Sequence, residues 1–270
     1  MAARAEKPTR IAIVTGASQG IGRAIALRLA KDGLHVALND IPSKVDQLNA
    51  VSEEIRAVGP GRKSSVHTGD VSQEGDVKRM VEEVVETYGG LDVMVANAGI
   101  VIDKAFMETT VEDWDKIFSI NARGVFLCYQ HAAKQMIKQG RGGRLIGASS
   151  VQGKSGMGEG ISAYSSTKFA VRGITQAAAG ELGKHKITVN AYAPGLIDTN
   201  MSECRELDKN AQEKFNWKPG DYFNTFTSRS ALGYNGVPED IAGLVSYLVS
   251  EEAHFITGQS VSVNGGVFCD

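Results

Sequence analysis

Short apolar runs alternate along the chain with longer stretches whose apolar residues recur at helical spacing. Ile11-Ala12-Ile13-Val14 is a continuous apolar run between charge and glycine, the pattern of a buried strand. Arg23 to Ala30 carries apolar residues at helical spacing and the pattern stops at Gly33. Leu34 to Asn39 predicts a second strand ending at Asp40, and Ser43 to Val58 a helix. Val66 sits in a third strand that reaches Gly69-Asp70-Val71, followed by a helix from about Gln73 to Tyr88 with Ser72 as its N-cap. Leu91 to Ala96 is a fourth strand. A helix opens at Thr110-Val111-Glu112-Asp113, with Asp113 at the acid position of a capping box, and runs through Asn121 to Gln139. Arg144 to Ala148 reads as a strand, Gly153 to Gly160 as a glycine-rich loop, and the segment with Tyr164 and Lys168 as a helix reaching about Lys184. Ile187 to Ala191 is another strand. Pro238-Glu239-Asp240 opens a helix to about Val249, its proline and acids suited to a first turn, and Val261 to Val263 closes the sheet. This alternation predicts an α/β fold, a doubly wound parallel sheet with helices on both faces.

Residues 201–236 break the rhythm. This stretch has no evident strand and carries Phe215, Trp217, Tyr222, Phe223 and Phe226 among charges, which suits a substrate lid or a packing patch between subunits. No linker or repeat divides residues 1–270, so one domain is expected. The net charge of -2 argues against a nucleic-acid or membrane-surface partner. No apolar run is long enough to span a bilayer, and Met1 to Arg10 lacks an apolar signal core. Cys128, Cys204 and Cys269 are widely spaced, which fits a reducing, cytoplasmic setting. The five histidines pair with nothing at ligand spacing, so no metal is assigned.

Five strand ends carry candidate chemistry. Gly16, Gln19, Gly20, Ile21 and Gly22 form a glycine turn between strand and helix. Gly16 suits a tight turn, Gly20 a close backbone approach and Gly22 close helix packing, with the helix N-terminus facing a pyrophosphate. The spacing G-x-x-x-G-x-G differs from the G-x-G-x-x-G fingerprint. Asp40 can accept hydrogen bonds from the ribose hydroxyls of NAD and would repel the 2′-phosphate of NADP, and neither Gln19 nor Ile41 offers a compensating cation. Asp70-Val71 could hold an adenine amino group or simply turn the chain before a helix. Asn97-Ala98-Gly99 leaves room for a cofactor backbone or makes a plain turn. Pro194-Gly195, with Ile197 and Thr199 beyond, could bound a nicotinamide.

Tyr164 and Lys168 are four apart on a helix, so their Cβ atoms are roughly 5–6 Å apart on one face. A neighbouring ammonium favours a phenolate, which would turn a poor acid into a tuned proton donor and acceptor. Ser150, with Val151 after it, lies a loop upstream to hold a substrate oxygen. Asn121 lies in an apolar helix, where an exposed or core-satisfied side chain is the alternative to a functional one.

Taken together and in order, Thr15 to Gly22, Asn97-Ala98-Gly99, Asn121, Ser150, Tyr164-x-x-x-Lys168 and Pro194-Gly195 resemble the short-chain dehydrogenase/reductase family over almost the whole chain. The resemblance implies one Rossmann domain with a seven-stranded parallel sheet, a tetrad at Asn121, Ser150, Tyr164 and Lys168, and a homotetramer. Asn121 would then hold a water that relays protons to Lys168. Within the family, Ser162 to Gly173 with Asn190 to Gly195, and Ala231 to Gly233 with Val237 to Ser246, look like NAD-dependent diacetyl/acetoin reductases, or 2,3-butanediol dehydrogenases. That implies a small carbonyl or alcohol substrate. Polyol oxidation and 3-oxoacyl-thioester reduction are rivals, and a non-catalytic dinucleotide sensor is a remoter one. Three departures stand out. Ala96 and Gly147 replace frequent asparagines, and the gap from Ser150 to Tyr164 is one residue long, leaving Ser149 an alternative to the preferred Ser150.

Overall fold

A computed structural model describes residues 9–59, 61–156, 158–199, 208–213 and 216–269. Seven strands form one sheet: β1 (Ile11–Thr15), β2 (His35–Asp40), β3 (Ser64–Thr68), β4 (Val93–Ala96), β5 (Gly143–Ala148), β6 (Ile187–Pro194) and β7 (Ser260–Val263). Their order is β3-β2-β1-β4-β5-β6-β7 and every pairing is parallel. The labelled helices are α1 (Gly20–Lys31), α2 (Val45–Ala57), α3 (Glu74–Tyr88), α4 (Val111–Phe118), α5 (Gly124–Gln139), α6 (Ser162–Leu182), α7 (Asp221–Arg229) and α8 (Pro238–Val249).

The continuous apolar strands have this form because both faces of the sheet are covered. Alternate residues go to opposite cores. Ala12, Val14, Val36, Leu38 and Ile146 pack with α1, α2 and α8, while Ile11, Ile13, Ala37, Met94 and Leu145 pack with α3, α5 and α6. Ile13, Leu38, Met94 and Leu145 are wholly buried, each worth about 1.5–3 kcal/mol of transfer free energy. The chain leaves β1 for β2 on one side, and the sheet resumes with β4 on the other. Ligands of open α/β sheets bind outside the carboxyl ends of the strands at such a switch point.

Local differences from the sequence reading have simple causes. The third strand stops at Thr68, so Asp70 and Val71 lie in the turn that follows. The Asp70 carboxylate accepts from Ser72 N (2.8 Å), and Asp70 N donates to Asp76 Oδ2 (2.9 Å). These local bonds compete with the ladder and end it. Ser72 is not the cap of α3. Gln73 holds that position, with no side-chain bond. The capping box at Thr110 and Asp113 is present. Beyond it the expected single helix is α4 and α5 joined by a π-helical turn, Ser119–Arg123, which contains Asn121. Strand β6 runs three residues further than its apolar pattern, to Pro194.

Part of the segment 201–236 is described. Residues 208–213 are helical and α7 follows. Asp208 ties them together by accepting from Gly220 N (3.1 Å) and from Tyr222 N (3.4 Å). Asn210 Nδ2 reaches Asp103 Oδ2 on the loop after β4 (3.3 Å). Phe215 and Cys204 lie outside the described residues.

Candidate active site

The β1–α1 turn is built around contacts that only glycine permits. Gly16 and Gly20 have φ of 64° and 55°, in the region that disfavours a Cβ. A Cβ on Gly22 would fall on Gly16 O and lie 2.5 Å from Asn97 Nδ2. No side chain caps the N-terminus of α1, and its first turn holds no acid. Its leading N–H groups therefore face the strand ends as anion donors. The Ser18 hydroxyl is buried there without a partner among the described residues. Asp40 Oδ2 accepts from Ser18 N (3.3 Å) and Oδ1 from Ile41 N (2.9 Å), which brings the carboxylate at the end of β2 beside the glycine turn.

Asn97 does something other than leave room. Its Nδ2 donates to Thr15 O (2.8 Å) and Gly16 O (3.2 Å), and its Oδ1 accepts from Tyr192 OH (2.7 Å). Thr15 Oγ1 in turn accepts from Asn97 N and Ala98 N, both at 3.0 Å. The amide thus pins the glycine turn to β4 and, through Tyr192, to β6. Tyr192 is 1% exposed, and burial pushes its phenol well above the ordinary value, so the hydroxyl stays a donor. Sequence reasoning missed Tyr192. The available signal was a phenol inside the otherwise apolar run of β6, where a buried hydroxyl needs a partner.

The strand ends of β4 and β5 meet α6 and the π-turn. Lys168 is buried on α6, and its Nζ donates to Ala148 O (2.8 Å) and lies 5.4 Å from the Tyr164 ring centroid. Tyr164 is half-buried, one helical turn away on the same face. Asn121 is wholly buried. Its Oδ1 accepts from Ile100 N (2.8 Å), and its Nδ2 donates to Ile100 O (2.9 Å) and Thr167 Oγ1 (3.2 Å). A Cβ on Gly99 would stand 3.1 Å from Asn121 Oδ1 and 3.5 Å from Lys168 Nζ. The small residue at Gly99 therefore brings β4, the π-turn and α6 together. The Val71 side chain is buried against Gly124, at the head of α5.

The two serines at the end of β5 differ. Ser149 is buried, its Oγ donates to Lys168 O (3.1 Å), and Gly153 closes over it. Ser150 is extended, and its Oγ accepts from Gln152 N (3.1 Å), which leaves the hydroxyl proton for another acceptor. Gly147 is glycine because a Cβ would fall on the Tyr129 hydroxyl, which donates to Asn190 O (3.1 Å). Beyond β6, Gly195 N donates to Val263 O (3.0 Å), and Ile197 bridges to Gly236 with its side chain buried. Ile197 thus serves the core as well as the rim. Thr199 is half-buried next to it, at the end of the described stretch.

Residues 16–268 match the protein-family model described as enoyl-(acyl carrier protein) reductase. The chain is 50% identical to a short-chain dehydrogenase/reductase of Armillaria gallica over 100% of both chains. It is 42% identical to an L-2,3-butanediol dehydrogenase of Corynebacterium glutamicum, covering 96% of this chain and 98% of the relative. It is also 42% identical to a 3-oxoacyl-[acyl-carrier-protein] reductase of Staphylococcus aureus, covering 97% and 99%. The crystal structure of an acetoin dehydrogenase from Salmonella typhimurium superposes with a TM-score of 0.82 at 34% identity over 96% of each chain.

Proposed function

The chain belongs to the short-chain dehydrogenase/reductase family, and from that premise we propose that it interconverts a small secondary alcohol and a ketone with NAD(H), most aptly within the diacetyl, acetoin and 2,3-butanediol series. It is an oxidoreductase of a family that binds nicotinamide dinucleotides. The residues of the β1–α1 turn fit such a group. Gly16 and Gly22 leave a cradle that a Cβ would fill, and the buried Ser18 hydroxyl lacks a protein partner among the described residues. Gln19, Gly20 and Ile21 would complete that cradle. Asp40 favours NAD over NADP in this reading, because its carboxylate suits ribose hydroxyls and repels a 2′-phosphate. Asp70, Ala98, Pro194, Gly195 and Thr199 would line the rest of the cofactor site.

When bound, the nicotinamide supplies or accepts the hydride. Tyr164 gives a proton from its phenol to the carbonyl oxygen in reduction and takes it back in oxidation. Lys168, held on Ala148 O beside the Tyr164 ring, favours the phenolate and would also hold the nicotinamide ribose. Ser150 donates to the carbonyl oxygen and stabilises the charge that develops there. Asn121, fixed to Ile100 on both its amide atoms, shapes the turn through which a water would pass protons to Lys168. Val151 would line the substrate side. The observation that carries the reading is the convergence of Gly99, Asn121, Ala148 and Lys168 beside Tyr164.

The substrate series is supported by the butanediol and acetoin relatives. The acyl-carrier reductase at the same 42% identity keeps thioester reduction as the second reading. A cytoplasmic homotetramer built on one dinucleotide-binding domain completes the proposal. Exposed Trp114, Phe126 and Phe169 on α4, α5 and α6 suit a contact between copies, and light scattering on the purified protein tests it. The functional test is NADH and NADPH consumption with diacetyl, acetoin, sorbose and an acetoacetyl thioester, and NAD reduction with xylitol, for the wild type and Tyr164→Phe. The variant should bind NADH yet lose turnover. Full activity in Tyr164→Phe would overturn the assignment of the proton donor, and NADH binding without turnover on any substrate would favour the sensor.

A further inference from the structure

Away from the strand ends that face the dinucleotide site, Ser65, His67 and Glu83 form a hydrogen-bonded chain. His67 Nε2 lies 2.8 Å from Ser65 Oγ, and His67 Nδ1 lies 2.8 Å from Glu83 Oε2. Ser65 and His67 are two apart on β3, so both side chains leave the same face of the strand. Glu83 comes from α3, which covers that face. A carboxylate only accepts, so Nδ1 carries the proton toward Glu83 and Nε2 is left to accept from the Ser65 hydroxyl. Arg79 Nε stands 3.7 Å from the other Glu83 oxygen, Oε1, which leaves Oε2 to orient the imidazole. His67 is 8% exposed, whereas Ser65 is only half-buried and can be reached from solvent.

Two donors stand near Ser65. Strand β3 is an edge of the sheet. Its ladder to β2 uses odd-numbered residues, since Val36 N donates to Lys63 O and Gly69 N to Asp40 O. A residue in a parallel ladder sends both its polar groups to one neighbour, so Val66 N–H points to the open edge. The second donor is Tyr88, whose phenol is raised by burial against the opposing influence of the adjacent Ser65 hydroxyl. It therefore holds its proton at neutral pH.

We propose that Ser65, His67 and Glu83 form a second catalytic site, an acyl-transfer triad that acts on small activated esters at the open edge of the sheet. Ser65 Oγ bonds to the ester carbonyl carbon while its proton passes to His67 Nε2. The carbon–oxygen bond to the leaving group breaks, and His67 returns that proton to the departing alcohol. Water then attacks the acylated Ser65, giving one proton to His67, and the carboxylic acid leaves as the proton returns to Ser65 Oγ. Glu83 holds the imidazole and stabilises its cation, as the acid of a serine triad does. Val66 N–H and the Tyr88 hydroxyl are the donors for the oxyanion. No oxidant or reductant enters, so the site is chemically independent of the hydride reaction.

The test uses the whole purified protein. Diisopropyl fluorophosphate bonds its phosphorus to a reactive serine oxygen and expels fluoride, and peptide mass mapping locates the adduct. The expected adduct is on Ser65. Hydrolysis of p-nitrophenyl acetate should fall about tenfold or more in Ser65→Ala and in Glu83→Gln, while NADH-dependent ketone reduction stays at the wild-type rate in both. An unmodified Ser65 in the mapped wild type overturns the proposal whether or not the variants fold. So does esterase activity that is unchanged in a folded Ser65→Ala.

Discussion

Tyr192→Phe removes one oxygen and tests whether the glycine turn is held in place from β6. The ring would keep its packing, but the hydroxyl that donates to Asn97 Oδ1 at 2.7 Å would be gone. Leaving a buried acceptor unpaired costs about 1–3 kcal/mol. Asn97 is half-buried and water can reach part of it, so the lower portion, about 1–2 kcal/mol, is expected. For a chain of this size each kcal/mol moves the melting midpoint by roughly 2–4 °C, which gives a fall of roughly 2–8 °C. The same amide holds Thr15 O and Gly16 O, so a share of the loss should appear as weaker NADH binding. About half of it corresponds to an NADH dissociation constant raised about twofold to fivefold, with kcat little changed. Burial keeps the Tyr192 phenol protonated, so the effect should be equal at about pH 6 and about pH 9. Calorimetry without cofactor and fluorescence titration with NADH measure the two parts separately. An unchanged midpoint together with unchanged NADH affinity would refute the reasoning.

The two adjacent serines should separate cleanly. Ser150→Ala is expected to lower kcat about a hundredfold or more, while Ser149→Ala should leave kcat alone and cost about 1 kcal/mol through its lost bond to Lys168 O, read by denaturant unfolding. Asp40→Ser removes the carboxylate beside Ser18 and should shift the NADH to NADPH preference about tenfold or more toward NADPH, measured as a ratio of kcat/KM values. Burial pushes the Cys128 thiol up to about 12, so iodoacetamide at about pH 8 should modify exposed Cys269 and spare Cys128 until denaturant is added. Mass spectrometry of the alkylated peptides follows that order.

The central strands were legible because they are apolar runs that can be buried only from both sides, while the edge strands β3 and β7 showed only through Val66 and through Val261 to Val263. The capping box at Thr110 was legible because its two partners lie three residues apart. What escaped depends on polar side chains that compete for the backbone and on partners that other elements supply. The end of β3 was set by the Asp70 carboxylate taking Ser72 N, and the π-turn at Asn121 interrupts a pattern that reads as one helix. Asn97 read as part of a strand end that leaves room or turns, and Gly147 as a replacement for a frequent asparagine. Their reasons are Tyr192 in one case and Tyr129 in the other, each on a different element. The contact of the Val71 side chain with Gly124 likewise joins two elements and has no signal in the sequence.

The sequence by itself determined the alternation of elements, the glycine turn, the acid at the end of β2 and the Tyr164–Lys168 pair, because each is a local pattern within a few residues or one helical turn. It preferred Ser150 but left Ser149 as an alternative, since neighbouring serines differ only in what lies around them. Tertiary structure decided that difference. Lys168 O and Gly153 enclose Ser149, while Ser150 keeps a proton for another acceptor. It also decided that Asn97 is a clamp and that Ser65 and His67, two ordinary strand residues, meet Glu83. The physical reason is the same in each case: a polar group's role is fixed by the partner that satisfies it, and these partners lie on other elements, brought within 3.5 Å only by the packing of the sheet and its helices.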